Sequence, residues 1–301
     1  MVFHKPGSFK GPGFYFKPLL IRFTKYKIPT LMDEFIRSDF YKHTFNLAAD
    51  GYDNSALRFF QESAKHIPSL LELKGDEHIL DIATGTGYAA LALAERLSSG
   101  SVTGIDISDR MLERARQKRD ARQLQNIQFI EMNMQDIKFP DEYFDLAINS
   151  FSLFFVRDMK KQLCHIADKV KINGTILMTT FGEKSFSGFS DLMMKQFQHY
   201  GIDIPELPSK HVSTVHGCTA LFQTAGLREV KCIAINCGHY LNGASEWWDV
   251  VFNAGFRGLI NQLSLYEMQK FRAEHLYEVS KFATEKGIWL DVPVLYTFGK
   301  Q

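Results

Sequence analysis

His78-Ile-Leu-Asp-Ile-Ala-Thr-Gly-Thr-Gly-Tyr88 is an apolar run that ends in an acid, Asp81, and turns through Gly85 and Gly87 into the helix-forming stretch Ala89 to Leu97. The pattern predicts a strand, a tight turn and a helix. Glycine admits positive φ and close approach of a ligand to the backbone, and a helix N-terminus presents N–H groups with no partner in the helix. Bare backbone, a carboxylate and a helix start therefore meet at one point, which suits a small polar ligand. Asp81 narrows the choice, because a negative charge there opposes a purely phosphate-binding turn.

Ser101-Val-Thr-Gly-Ile-Asp106 is a second short strand ending in an acid. It lies about twenty residues beyond the glycines, where a ribose-binding carboxylate belongs in a strand-helix-strand unit. One carboxylate can accept hydrogen bonds from both hydroxyls of a ribose. Gly85-x-Gly87-x-x-Ala90 also fits the dinucleotide fingerprint. The two readings part at Asp81: an acid at the strand end repels a diphosphate but holds the ammonium of a methionine moiety, directly or through water.

With Leu80-Asp-Ile-Ala-Thr-Gly-Thr-Gly87, Gly104-Ile-Asp-Ile-Ser108 and Phe139-Pro-Asp-Glu-Tyr-Phe-Asp145 in that order, the chain resembles the class I S-adenosylmethionine-dependent methyltransferases. Within them it is similar to the small-molecule branch of the ubiquinone/menaquinone-biosynthesis methyltransferases, from about Met32 to Phe298. The resemblance implies a Rossmann-like α/β fold: a seven-stranded sheet with helices on both faces, an antiparallel last strand between its neighbours, and helical lid insertions. It implies S-adenosyl-L-methionine as cofactor, bound by Asp81, Ala83, Thr84, Gly85 and Gly87, then by Asp106, Ile107 and Met111, and further on by Asn133, Met134, Ser150 and Phe151.

Several of these positions depart from the family's pattern or have a second reading. The family's first motif glycine is Ala83 here, which a turn accepts with negative φ. Counting back from Phe144-Asp145, the adenine-reading acid falls on Asn133, and the residue whose backbone N–H meets the ring falls on Met134. A neutral amide oxygen gives up charge assistance, a loss of order 1 kcal/mol. The neighbouring Asp136 reads as a surface or turn residue. Ser150 and Phe151 are expected as walls of the transfer chamber, an aromatic ring beside a cation. In the turn-rich segment Phe45 to Asn54, the pair Tyr52-Asp53 is expected at the methionine end or the substrate; the competing reading packs Tyr52 in the core and uses Asn54 as a helix cap.

Composition excludes other classes. The 301 residues are 45% hydrophobic and 23% charged, an ordinary globular balance, and 35 Lys+Arg against 34 Asp+Glu give no global attraction to nucleic acid or anionic membrane. No apolar run approaches the ~20 residues of a membrane span. Cys164, Cys218, Cys232 and Cys237 are scattered, without ligand spacing. They read as free thiols of a cytoplasmic protein, with no metal site. Residues 1–31 carry six basic residues, Lys5 to Lys27, and no acid, among Gly, Pro and aromatics. Two readings stay open: a poorly ordered extension, or a basic-aromatic segment in peripheral contact with a membrane surface or a partner. Neither a secretory signal nor a mitochondrial presequence fits.

The rest, 32–301, is expected to form one methyltransferase domain. Residues 32–75 read as a helical cap, with Ala56, Phe59, Phe60, Ala64, Ile67 and Leu71 on one stripe. Strands are predicted at 78–82, 102–106, 127–131, 144–149, 174–181, 228–236 and 292–298, and helices at 87–97, 109–123, 157–170 and 216–225. Two insertions, 182–215 and 237–290, are rich in aromatics and methionine and are expected to close a lid over an apolar or aromatic acceptor. In the second, Ser264-x-x-Glu267 is a capping box that opens a helix running on to Phe282.

Methyl transfer is an in-line displacement in which holding the reactants together accounts for roughly 7–11 kcal/mol of the barrier. A base is needed only for a protonated acceptor; His216, His239, His275 and Tyr52 are the candidates. Two other functions compete: an NAD-dependent oxidoreductase on the same core, and a catalytically inactive methyltransferase-like binding protein. Nucleic-acid or protein methylation is disfavoured, since no basic stripe or base-flipping motif accompanies the candidate site. The acceptor itself and the oligomeric state are not legible in the residues.

Overall fold

The computed structural model describes residues 34–202, 204 and 208–301; the basic segment 1–31 and the first two residues of the expected cap lie outside them. Nine strands follow in chain order among these residues: β1 (His78–Ile82), β2 (Ser101–Asp106), β3 (Ile127–Glu131), β4 (Phe144–Ser150), β5 (Val170–Phe181), β6 (Arg228–Asn236), β7 (His239–Leu241), β8 (Ile288–Leu290) and β9 (Pro293–Lys300). Seven of them make one sheet in the order β3-β2-β1-β4-β5-β9-β6. β9 runs antiparallel to both β5 and β6, and the other pairings are parallel. β1 explains the sheet's layering: Ile79 enters one apolar core and Leu80 and Ile82 the other, so the strand is buried on both faces.

The helices are α1 (Glu34–Ala48), α2 (Arg58–Leu70), α3 (Tyr88–Ala94), α4 (Asp109–Ala121), α5 (Met159–Asp168), α6 (Phe189–His199), α7 (Val215–Thr224), α8 (Ala244–Asn253), α9 (Arg257–Ile260) and α10 (Leu265–Ser280). Side-chain caps set several starts: Ser108 accepts from Met111 N–H, Asp158 from Lys161 N–H and Thr214 from Gly217 N–H. α3 stops at Ala94, short of the expected residue 97, because the chain turns to place the N–H groups of Ser98, Ser99 and Gly100 on the Gly75 carbonyl at 2.8–2.9 Å.

The cap differs from expectation. It is two helices joined by a turn and a short 3-10 segment, Ser55–Leu57, capped by Asn54; Phe45 to Ala48, read as turn, is the last turn of α1. The second insertion contains a two-stranded antiparallel sheet, β7–β8, that the sequence pattern did not reveal, since three-residue strands show no periodicity. The capping box on α10 is present, with Phe271, His275 and Val279 buried, but Phe282 lies beyond the helix and is half exposed. The two insertions pack on each other through Phe197 against Phe271 and Phe189 against Trp247, at 4.8 and 5.3 Å between ring centres. No helix of the described residues is long and apolar enough to cross a membrane.

Gly104 on β2 lets the sheet approach the first turn. A Cβ there would stand 2.7 Å from Phe129 Cδ1 and 3.0 Å from Thr84 Cγ2. Gly104→Ala is therefore expected to cost about 1–3 kcal/mol, because neither neighbour can withdraw from the core. The check is thermal unfolding, with a fall of about 2–4 °C per kcal/mol for a domain of this size; an unchanged midpoint contradicts the packing described.

Candidate active site

The C-terminal ends of β1, β2 and β4 lie side by side, with Asp81 opposite Gly104, Ile82 opposite Ile105 and Ile82 opposite Asn149. In a parallel sheet these ends open on the crevice where ligands bind. From β1 the chain turns through Ala83 (φ 55°), Gly85 (φ 57°) and Gly87 (φ 85°) into α3. Ala83 thus has the left-handed conformation, contrary to the negative φ expected of it. Leaving the strand sharply enough for Thr84 N–H to bond the Ile105 carbonyl at 2.9 Å demands it, and for an alanine it costs about 1–2 kcal/mol.

Asp81 is buried, with one oxygen, Oδ2, accepting from the Thr84 hydroxyl at 2.6 Å and from Ala90 N–H at 3.1 Å. Burial pushes its carboxyl up to about 7, against the pull of those two bonds. Asp106, also buried, accepts from Gly85 N–H on Oδ2 and from Ser108 N–H on Oδ1, both at 2.8 Å. Desolvation again dominates and raises it to about 6. Asp106 therefore has a structural task that its position as a candidate ribose ligand did not suggest: it pins the glycine turn. A carboxylate has about four acceptor positions, so two remain for a ligand.

Beside Asp106 lies a cleft lined by Ala83, Gly85, Asp106, Ile107 and Met111 on one side. Asn133, Met134, Ser150 and Phe151 line the other. An adjoining chamber shares Tyr52, Ala83, Gly85, Ser150 and Phe151 and reaches Asp81 and Thr84. Eleven of the twelve residues proposed above as cofactor ligands thus border one or both of these neighbouring spaces. Gly87 does not. A Cβ on it would stand 3.1 Å from both Ala115 and Phe129, so its place is in the packing of α3.

Sequence reasoning missed α1. Arg37, Tyr41 and Phe45, one helical turn apart, face the cleft, where Arg37 Nε donates to the Phe155 carbonyl at 2.9 Å. The i, i+4 spacing was the available signal. The adjacent stripe meets the rim through polar contacts: Asn133 Nδ2 donates to Ser38 Oγ at 3.0 Å, Lys42 pairs with Glu131, and Asn46 bonds Ser108 and Asp109. Beyond the helix, Asp50 pairs with Arg110 and Arg114, and Asp53 accepts from Thr86 and Lys118. Asn133 is thereby engaged on both sides, since its oxygen accepts from Gln135 N–H at 3.0 Å.

Tyr52 reconciles two readings. It stacks on Phe60 with 5.0 Å between ring centres while lining both chambers, and burial raises its phenol well above the usual range. The three histidines fall elsewhere. His216 is exposed on α7. His239 lies behind Phe59, ring centres 6.2 Å apart, and burial lowers it to about 4. His275, likewise about 4, accepts from Trp247 Nε1–H at 2.8 Å in the insertion core. None lines the cleft, and among the described residues neither insertion contributes to its lining. Their aromatic residues fill a core of their own, while α1 and the loop after β4 supply the walls assigned above to a lid.

A seven-stranded sheet of this order, with an antiparallel β9 and acids at the ends of β1 and β2, has the architecture of a class I methyltransferase. Residues 79–174 match the family model of the methyltransferase domain. It is similar to aklanonic acid methyltransferase DauC of Streptomyces sp. strain C5, 33% identical over 45% of this chain and 62% of the relative. It is also similar to the ubiquinone/menaquinone biosynthesis C-methyltransferase UbiE of Zymomonas mobilis, 33% identical over 43% of this chain and 53% of the relative. The match thus spans less than two thirds of either relative's length. Among solved structures, the YcgJ protein of Bacillus subtilis shares the fold with a TM-score of 0.55 and 18% identity, over 80% of this chain and 98% of that one.

Proposed function

We propose that this protein transfers a methyl group from S-adenosyl-L-methionine to a small apolar or aromatic molecule by in-line displacement. The observation that carries the reading is the pair Asp81 and Asp106, buried at the ends of neighbouring parallel strands on either side of the Gly85 turn. The donor set fits the cofactor: Asp106 keeps acceptor positions for two ribose hydroxyls, Asp81 meets a cation with the oxygen its internal bonds do not use, and Gly85 leaves open space above the turn. Ile107, Met134 and Phe155 offer apolar surface for a base, and Asn133 an amide at its edge.

When bound, S-adenosyl-L-methionine supplies an electrophilic methyl on a positively charged sulfur. The protein's part is to orient and to exclude water. Phe151, Phe60 and Tyr52 form an aromatic wall that favours a cation over bulk water. No His, Lys or Cys lines either chamber among the described residues. Tyr52 stays a neutral phenol, a donor and not a base. The acceptor is accordingly one that is nucleophilic as it arrives or loses its proton to water.

We read residues 34–301 as one catalytic domain in which α1 and the turn after it are the cap, and the two insertions brace the aromatic wall from behind. Calorimetry with S-adenosylhomocysteine and with NAD separates the competing functions. Micromolar binding of the first and none of the second is expected, because a diphosphate beside two buried acids is repelled; the reverse order removes the proposal.

A further inference from the structure

Two of the four cysteines meet on the face of the sheet that α7 covers, and neither borders the cleft or its adjoining chamber. Cys218, buried on α7, and Cys232, half-buried on β6, belong to one apolar core with Met178 and Leu295. β6 is the last strand of its sheet, so Cys232 sits at an open edge. Thr297 of β9 is its partner across the ladder, and the Thr297 hydroxyl donates to the Cys232 sulfur at 3.3 Å. From the helix side, Cys218 Sγ donates to the Val212 carbonyl at 3.1 Å and stands 3.6 Å from the Thr180 hydroxyl. The Thr297 hydroxyl and the Cys232 thiol are its other hydrogen-bonding neighbours. Gly299 allows this close approach. It lies on the same face of β9 as Thr297, and a Cβ there would stand 2.8 Å from Phe222 Cδ1 on α7.

The methyl transfer proposed above uses neither thiol, and a lone buried cysteine is inert. Two thiols and two hydroxyls around one point behave differently. A thiolate on either sulfur is stabilised by the S–H of the other and by the hydroxyls beside it. Cys218 is lowered to about 7, chiefly by the bond from Cys232, and Cys232 is raised in return by the same bond. The two sulfurs therefore share one proton, and near neutral pH the pair holds a nucleophilic thiolate next to a second thiol. Oxidation of cysteine follows thiolate character and access, and a neighbouring thiol resolves the first product.

We propose that Cys218 and Cys232 form a dithiol modification site, which a peroxide oxidises to a disulfide that ties α7 to the edge strand of the sheet. Cys232, the accessible member, attacks one oxygen of the peroxide as its thiolate. The O–O bond breaks, hydroxide leaves and takes up a proton, and the sulfur becomes a sulfenic acid. Cys218 then attacks that sulfur: the S–S bond forms, the hydroxide of the sulfenic acid departs, and the Cys218 proton converts it to water. Two thiols are oxidised by two electrons in all, and one hydrogen peroxide is reduced to two waters. The site stands apart from the methyltransferase reading and survives its failure.

The test treats the whole protein with hydrogen peroxide at about pH 7.5, where thiolate and thiol coexist in the pair. The reaction is quenched by unfolding in N-ethylmaleimide, and the peptides are mapped by mass spectrometry. Expected is a linked Cys218–Cys232 peptide, lighter by two hydrogens than its reduced parts, with Cys164 and Cys237 still alkylated and both thiols recovered by dithiothreitol. Cys164 is the internal control, half-buried like Cys232 but bonded to the Ala225 carbonyl at 3.7 Å. Cys232 should be lost about tenfold faster than Cys164, the excess of thiolate that a thiol lowered to near 7 has over an ordinary one. In Cys232→Ser, a change at a half-buried position that keeps a hydroxyl partner for Thr297, Cys218 should stay reduced because it is buried. Absence of the linked peptide from the wild type overturns the proposal, as does loss of Cys232 no faster than of Cys164. Accumulation of unresolved sulfenic acid on Cys232 overturns it too, and so does oxidation of Cys218 in Cys232→Ser. The wild-type map decides by itself if the variant does not fold.

Discussion

Asp106→Ala is expected to lower affinity for S-adenosylhomocysteine by at least about a hundredfold, since hydrogen bonds to a charged group contribute about 1.5–3 kcal/mol each and the carboxylate can make two to a ribose. The loss has a second source. Asp106 also accepts from Gly85 and Ser108 N–H groups at 2.8 Å, and without it the glycine turn and the start of α4 each lose an anchor. Asp106→Asn separates the two effects. Its amide retains one acceptor oxygen and so keeps part of the anchoring, but it has no charge and only half the acceptor capacity. Calorimetry on the two variants, with far-ultraviolet circular dichroism to establish that each folds, should rank affinity as wild type, then Asn, then Ala. Equal affinity in all three would show that the end of β2 does not hold the ribose.

Affinity for the same ligand is expected to fall by about tenfold or more between pH 7.5 and 5.5, while the free protein becomes more stable over the same interval. Both effects come from Asp81, raised to about 7 chiefly by burial, with a smaller part from Asp106, raised to about 6. An unfolded chain loses the Asp proton near pH 4, so between about pH 4 and 7 the folded protein binds the proton that the unfolded one has released. The stability cost of ionising Asp81 inside the fold is therefore absent below that window and complete above it. Binding has the opposite sign. A ligand ammonium needs the carboxylate, so at pH 5.5 it must first displace a proton, whereas its own amine stays protonated as the pH falls. Asp81→Asn should leave only the smaller pH dependence that Asp106 supplies, with a higher thermal midpoint than the wild type at pH 7.5 and weak ligand binding throughout. Flat affinity from pH 5.5 to 7.5 in the wild type would mean that Asp81 does not face the cation.

The acids and glycines were legible because they occupy consecutive positions: β1, the turn and α3 are local, and β2 repeats the pattern within one strand-helix-strand unit. Seven strands and their antiparallel end followed from the resemblance. The histidines misled because a titratable residue looks the same on an exposed helix face, behind Phe59 and against Trp247. The aromatic insertions misled for a related reason, since Trp247 and Phe271 read alike in a core and in a pocket. Ala83 was misread through its residue type: the left-handed turn is imposed by the bond from Thr84 to the neighbouring strand, which no spacing records.

What the sequence by itself determined is the chemistry that short-range order can encode, namely a strand ending in Asp81, a glycine turn, and a second strand ending in Asp106. Only the tertiary structure decided which side chains enclose that chemistry. Arg37, Tyr41, Ser152 and Phe155 reach the cleft from α1 and from the loop after β4, because cleft walls are built by packing between distant segments, whose registry depends on the folded sheet and not on any repeat along the chain. The raised carboxyls have the same origin, since removal from water, which only folding provides, sets their proton affinity.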